Sequence, residues 1–290
     1  MSLVAGSYER FIWGFKLKTL KHSTETLTLS PLFSFPSHLS PIKSVAVAGS
    51  VAVSGGSDDT IKIYDADPFV HLKTLKVHKK GVNDMSVHPS GKLGLTVGRD
   101  ECLGMINLVR GRRSFFCKLG KEAEIVEFGC GGDKFFMGTG ETVSVHEAED
   151  AKLVSELKGE KRVLCLAPAT NGLVYTGGED RNLTAWDTIS GKVAYCIEDA
   201  HSARLKGIVV LSKIDGTSDE EPFLVASASS DGIIRVWDVR MAKKDKPTPL
   251  AEANTKSRLT CLAGSSFKSM KKRFSGSSDS NKEQDEATEQ

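Results

Sequence analysis

Hydroxyl, imidazole and carboxylate side chains recur along this chain at spacings that suit acid–base chemistry. His38, Ser54 and Asp58 form one set, His78, Thr96 and Asp100 a second, and His201, Ser227 and Asp231 a third. Thr176 and Asp180 repeat the last two members without a histidine. A hydroxyl, an imidazole and a carboxylate are the parts of a nucleophile, its general base and the acid that orients it. One set would suggest a hydrolase. Repetition argues against it, because catalysis needs the constellation once. Three sets also carry an aromatic six residues after the aspartate, at Tyr64, Trp186 and Trp237. Aspartate holding histidine, histidine meeting hydroxyl, and hydroxyl meeting the aromatic makes a closed polar network. Such groups are costly to bury alone and pin neighbouring strands when satisfied. These side chains are read as structural fastening, and no catalytic residue is assigned.

Other chemical signatures are weak. Gly129-Cys130-Gly131-Gly132 resembles a phosphate loop, but such a loop must open a helix. Phe135-Phe136-Met137 follows, which reads as a strand, so the glycines are expected to form a hairpin turn. Cys102, Cys117, Cys130, Cys165, Cys196 and Cys261 lack the paired spacing of a zinc site. They are expected to be small buried hydrophobes in a reducing compartment. No metal or cofactor is expected. No run of 18 apolar residues suggests a membrane span. The first 20 residues contain Glu9, Arg10, Lys16 and Lys18, unlike a secretory signal, so an intracellular protein is expected.

The elements that position the polar sets come from a repeat. Gly56–Asp65, Gly178–Asp187 and Ser229–Asp238 align without gaps. Weaker copies run from Asp100 to Asn107, from Gly140 to Glu147, and from Ser7 to Gly14. Anchors at Ser7, Asp58, Asp100, Gly140, Asp180 and Asp231 are spaced by 51, 42, 40, 40 and 51 residues. The long intervals contain Lys18 to Thr26 and the acidic stretch Ile214 to Pro222. A period near 40 is similar to that of WD40 repeats, about 40–45 residues. Short β-prone runs separated by Gly, Ser and Asp predict antiparallel hairpins. Four such strands cannot bury both faces alone, so the sheets must stack into a ring. The expected fold is therefore an all-β propeller with six blades over residues 1–266. Strands within 2–38 match the later part of a repeat and 257–266 a first strand, so both ends should complete one blade.

Charge is unevenly placed although the net charge is only +2. Arg110, Arg112, Arg113, Lys118 and Lys121 fall in one acid-free stretch, and Lys73, Lys76, Lys79 and Lys80 in another. The first stretch is expected at the turn into an outermost strand. It reads either as a solvated edge that discourages aggregation or as a contact for RNA or an acidic partner. Residues 267–290 read as a disordered tail, basic and then acidic. Its Lys268–Arg273 cluster reads as a nuclear localisation signal or a solvated segment.

Several stretches resemble one family. Leu3–Phe15, His88–Gly98, Asn107–Arg112, Ser227–Trp237 and Asn254–Leu262 are similar to the p21-activated protein kinase-interacting protein family, in its plant-like form. The resemblance covers residues 2 to about 266. It implies a nucleolar, non-catalytic scaffold for maturation of the large ribosomal subunit, with assembly proteins and rRNA as partners. It also implies an alternative, negative regulation of a p21-activated kinase, with a cytoplasmic pool. Family members carry seven repeats, whereas six are counted here. The missing period falls after Asp65, where Asp67–Leu75 reads as the outer strand of a different repeat. A ring shortened there is expected to widen each blade from about 51° to about 60°, or to leave a gap.

Overall fold

A computed structural model describes residues 2–19, 27–66, 69–211, 223–242 and 247–265. The tail, the Lys268–Arg273 cluster, the Ile214–Pro222 loop and the Asp67–Pro68 junction lie outside the described residues. The chain alternates short apolar runs with tight turns, and each run becomes a strand. The first blade supplies β1 (Ser2–Ser7), β2 (Phe11–Thr19) and β3 (Leu27–Pro36); the second supplies β4 (Ile42–Ala48), β5 (Val51–Gly56), β6 (Thr60–Asp65) and β7 (Val70–Lys76). The third contains β8 (Val82–Val87), β9 (Leu93–Gly98), β10 (Cys102–Asn107) and β11 (Arg112–Lys118). The fourth contains β12 (Ile125–Phe128), β13 (Lys134–Thr139), β14 (Thr142–Glu147) and β15 (Leu153–Lys158). The fifth contains β16 (Val163–Pro168), β17 (Leu173–Gly178), β18 (Leu183–Asp187) and β19 (Val193–Ile197). The sixth contains β20 (Leu205–Leu211), β21 (Leu224–Ser229), β22 (Ile233–Asp238) and β23 (Ala251–Asn254), and β24 (Leu259–Ser265) ends the described chain.

These strands form six four-stranded antiparallel sheets among the described residues. In five sheets the strands pair in chain order. In the remaining one the order is β24-β1-β2-β3, so the last strand lies beside the first. The fold is thus a six-bladed β-propeller with one blade shared by both ends. The innermost strands touch their neighbours all the way round, including β20 to β24 and β24 to β4. Six blades close the circle without the gap that a lost repeat threatened.

Packing explains the closure. Six buried apolar clusters occur among the described residues, and each spans one seam between adjacent blades. The third and fourth blades, for example, bury Leu95, Val97 and Leu103 against Val126, Phe128 and Phe135. Each such side chain contributes roughly 1.5–3 kcal/mol when fully buried, so the seams outweigh any single polar network. Close approach needs a residue without a Cβ at Gly207. A methyl there would stand 2.4 Å from the Leu262 backbone nitrogen on the neighbouring inner strand.

Two sequence expectations need correction. In the first blade the turn aspartate position is taken by Glu9 rather than Ser7, and the aromatic position by Phe15 rather than Trp13. The pairing fixes this: Leu3 faces Phe15 as Ala52 faces Tyr64. Arg10, Asp59, Glu101 and Arg181 all take positive φ one residue later, marking the same turn. The cysteines are not uniformly buried either. Cys102, Cys165 and Cys261 are buried, Cys117 and Cys196 half-buried, and Cys130 is exposed in the β12–β13 hairpin.

Candidate functional site

The sequence predicted three full networks and a fourth without histidine, and the structure builds four different versions. The second blade has the full set. His38 Nδ1 donates to Asp58 Oδ1 at 3.1 Å, and His38 Nε2 lies 2.7 Å from Ser54 Oγ. Ser54 Oγ is also 3.0 Å from the Tyr64 hydroxyl, which in turn bonds Ser37. Burial lowers the His38 pKa despite the Asp58 charge. Burial would raise the Asp58 carboxyl, but bonds from Thr60, the Leu39 N–H and His38 hold it below its usual range. The distances would suit a catalytic triad. Ser54, however, is 0% exposed and its oxygen is already shared between His38 and Tyr64. No substrate carbonyl can reach it.

The third blade joins His78 to Asp100 at 2.8 Å and to Thr96 at 2.9 Å. Ile106 occupies the aromatic position, so Thr96 donates instead to the Gly104 carbonyl. In the fifth blade Trp186 Nε1 donates to Thr176 at 2.8 Å, but Gly159 stands where a histidine would be needed. Among the described residues Asp180 accepts the Asn182 N–H of its own turn, at 3.3 Å, and no imidazole. In the sixth blade His201 Nε2 meets Ser227 Oγ at 2.7 Å, and Trp237 Nε1 donates to the same oxygen at 2.8 Å. Asp231 does not join this set as the sequence suggested. Ser202 donates to it at 2.7 Å and the Ile233 N–H at 3.0 Å, leaving His201 Nδ1 without a partner among the described residues. Burial and the Arg235 charge push the His201 pKa down to about 4.

The basic stretch does not gather into one patch. Arg110 sits in the β10–β11 turn, Arg112, Arg113 and Lys118 lie along β11, and Lys121 lies beyond it near the opposite face. Seven residues of strand separate the two ends by roughly 20 Å. All five side chains are exposed. Arg113 lies over the Phe116 ring at 4.7 Å, and Lys118 is 3.9 Å from Glu101. Lys73 of β7 lies against Gly111, which brings the second blade's outer strand beside this turn.

Sequence reasoning missed the central channel. Its walls are the six inner strands, enclosing about 300 Å³. Asp84 and Glu127 line it. Asp84 accepts the Val126 N–H at 3.0 Å, and Glu127 accepts from Ser86 at 3.0 Å. Burial raises Asp84 to about 6 and Glu127 to about 8, the latter helped by the Asp84 charge. Aligning the inner strands would have exposed both residues as charges where other blades carry small or apolar side chains. Among the described residues no group of three or more potential ligands could hold a metal ion, and no helix is long and apolar enough to cross a membrane.

Antiparallel four-stranded blades, a turn aspartate and a buried hydroxyl–indole contact define a WD40-repeat propeller. The model of the WD domain, G-beta repeat, matches residues 29–65, 69–105 and 200–238. The first two matched segments begin in or at an outer strand and end in the third strand of the next blade. The sequence repeat is therefore offset from the blade, which is why the chain's two ends share one. A p21-activated protein kinase-interacting protein 1-like protein of Danio rerio is 29% identical over 303 residues, covering 90% of this chain and 80% of the relative. The protein of that name from Xenopus laevis is 30% identical, covering 91% and 81%. Shk1 kinase-binding protein 15 of Schizosaccharomyces pombe is 26% identical, covering 82% and 77%. The chain belongs to the p21-activated protein kinase-interacting protein 1 family. The Xenopus alignment spans 305 positions against 91% of 290 residues, leaving about 40 positions unmatched here. That surplus equals one repeat period and agrees with a six-bladed member missing one repeat.

Proposed function

We propose that this propeller is a non-catalytic docking scaffold serving maturation of the large ribosomal subunit in the nucleolus. The observation that carries the scaffold reading is the sealing of Ser54, Thr96 and Ser227 inside the blades, each 0% exposed. The network hydroxyls and imidazoles face inward and fasten strands, while the arginines of β11 face solvent. A rigid ring offers two faces and a rim on which partners can assemble. The ribosomal assignment rests on the family resemblance and on the exposed arginines of β11, which suit phosphate contacts.

Native capture of the tagged chain should retain large-subunit assembly factors and co-sediment with pre-ribosomal particles, and a fluorescent fusion should mark nucleoli. Capture without any ribosomal component would refute the assignment. Replacing Arg112 and Arg113 by glutamine should weaken single-stranded RNA binding and lower the log–log salt slope by about 1.4, at about 0.7 for each lost phosphate contact. An unchanged slope would remove RNA from the reading.

The relatives' names favour a second reading, in which the scaffold binds and restrains a p21-activated kinase. That reading expects a cytoplasmic pool and a binary complex with the purified kinase that weakens with salt. Absence of the complex at low salt would refute it.

A further inference from the structure

The inner strands enter the channel with a repeated irregularity. One extra residue bulges near the start of five of them: Lys43 in β4, Asn83 in β8, Leu164 in β16, Lys206 in β20 and Thr260 in β24. A bulge re-aims the side chain it carries. These five residues line the channel, and Glu124 does so at the corresponding place before β12. They form a ring of six side chains at its mouth.

Charge around that ring is lopsided. On one side Glu124 accepts two bonds from Arg162, at 2.7 and 2.8 Å, and Asn83 donates to Glu122 at 2.9 Å. Arg162 neutralises Glu124 there, and Glu122 remains as that side's carboxylate. On the other side Lys206, Thr260 and Lys43 follow one another on β20, β24 and β4. Neither lysine forms an ion pair among the described residues. Burial lowers the Lys43 pKa, and the charges of Arg99 and Arg258 lower it further. Burial also lowers Lys206, with Lys43, Arg204 and Arg162 adding to the effect. Arg258 stacks on Tyr8 at 5.3 Å, which holds it beside the mouth. Glu9 accepts the Arg258 N–H at 3.1 Å and Glu179 pairs with Arg204, but no carboxylate pairs with Lys43 or Lys206 among the described residues. Lysines crowded in this way cost the fold stability, and an anion placed between them recovers it.

We propose that the Lys43–Lys206 side of the channel mouth is a docking site for an acidic segment of a partner protein. Carboxylates of that segment reach Lys43 and Lys206, and flanking ones meet Arg99 and Arg258. The inference rests on the scaffold reading but uses a surface separate from the β11 rim. Two observations favour an acidic peptide over nucleic acid. The channel offers about 300 Å³, room for side chains but not for a nucleotide strand. Asp84 stands below the mouth and Glu122 lies across it, so a continuous phosphate backbone would meet negative charge where it extended, whereas a short acidic segment can stop at the lysines.

The test uses the full chain and a fluorescein-labelled octapeptide of alternating glutamate and glycine, read by polarisation at low salt. Wild-type chain should bind it. The K43Q/K206Q variant, which keeps most of the side-chain bulk, should bind at least tenfold more weakly, and R112Q/R113Q should bind as wild type does. An eight-nucleotide oligouridylate should compete poorly. If K43Q/K206Q melts early, the exposed pair R99Q/R258Q decides the matter, with about a threefold loss expected. No binding by wild type, equal loss in the rim variant, or unaltered binding by the mouth variants would overturn the proposal. Stronger competition by the oligouridylate would overturn it in favour of a nucleic-acid site. Failure here would leave native capture of partners intact as a separate measure of scaffold function.

Discussion

Replacing Ser227 by alanine should cost more than removing any other network hydroxyl in the ring. Ser227 Oγ is fully buried and serves two side chains, His201 Nε2 at 2.7 Å and Trp237 Nε1 at 2.8 Å. Among the described residues neither nitrogen has another bond, and His201 Nδ1 has no partner. The substitution therefore strands two buried polar groups. Each stranded group costs about 1–3 kcal/mol, giving about 4 kcal/mol, a large share of the 5–15 kcal/mol typical of a folded domain. Ser54→Ala strands only His38 Nε2, since Tyr64 keeps Ser37 and His38 Nδ1 keeps Asp58, so about 2 kcal/mol is expected. Thr176→Val preserves shape and strands only Trp186 Nε1, on a half-buried ring that water can reach. Its cost should be about 1 kcal/mol or less. Urea unfolding at pH 7.5 measures all three through the midpoint and slope. If Thr176→Val were as damaging as Ser227→Ala, stranded partners would not be the source of the energy.

Further outcomes follow from the channel, the sixth blade and one seam. Folded Glu127 keeps its proton to about pH 8 and the unfolded chain loses it near 4.5, so this residue destabilises the fold increasingly between those values. Glu127→Gln should raise the urea midpoint at pH 9 and match wild type at pH 4; a lower midpoint at pH 9 would contradict this. Folded His201 resists protonation down to about pH 4, whereas the unfolded chain accepts a proton near 6.5. Its contribution is intact above pH 6.5 and declines by about 3 kcal/mol on the way to pH 4. His201→Gln should flatten that decline, and an identical pH profile would count against the assignment. Gly207→Ala drives a methyl into the β24 backbone and should destabilise by about 1–3 kcal/mol, with earlier proteolysis at the β20–β24 seam. Wild-type resistance to a protease would show that the seam can yield.

The ring, its blade count and its shared blade were legible because each blade obeys one period with one turn chemistry. Legibility failed where one property had to stand for another. Trp13 attracted the aromatic position because tryptophan fills it elsewhere, yet strand register gives that position to Phe15. His201 and Asp231 have the right spacing, but Ser202 reaches the carboxylate first. The fourth blade is faint because its hydroxyl position is Met137 and its aromatic position His146, so sequence retains only the turn. The channel residues stayed hidden for a different reason. Lys43 and Lys206 lie some 160 positions apart, and only ring geometry with matching bulges makes them neighbours.

The clasp between β24 and β1 has a mechanical consequence. Ser2 pairs with Ser265, so the two ends of the described chain leave the same end of one antiparallel pair. Tension applied to both ends would load the Ser2–Ser265 rung first and then each rung inward to Leu259. The bonds would break in turn rather than share the load, as in opening a zipper instead of shearing a lap joint. A ring held by six apolar seams can thus be opened at one point by pulling, and the first strand released is the one that completes the circle.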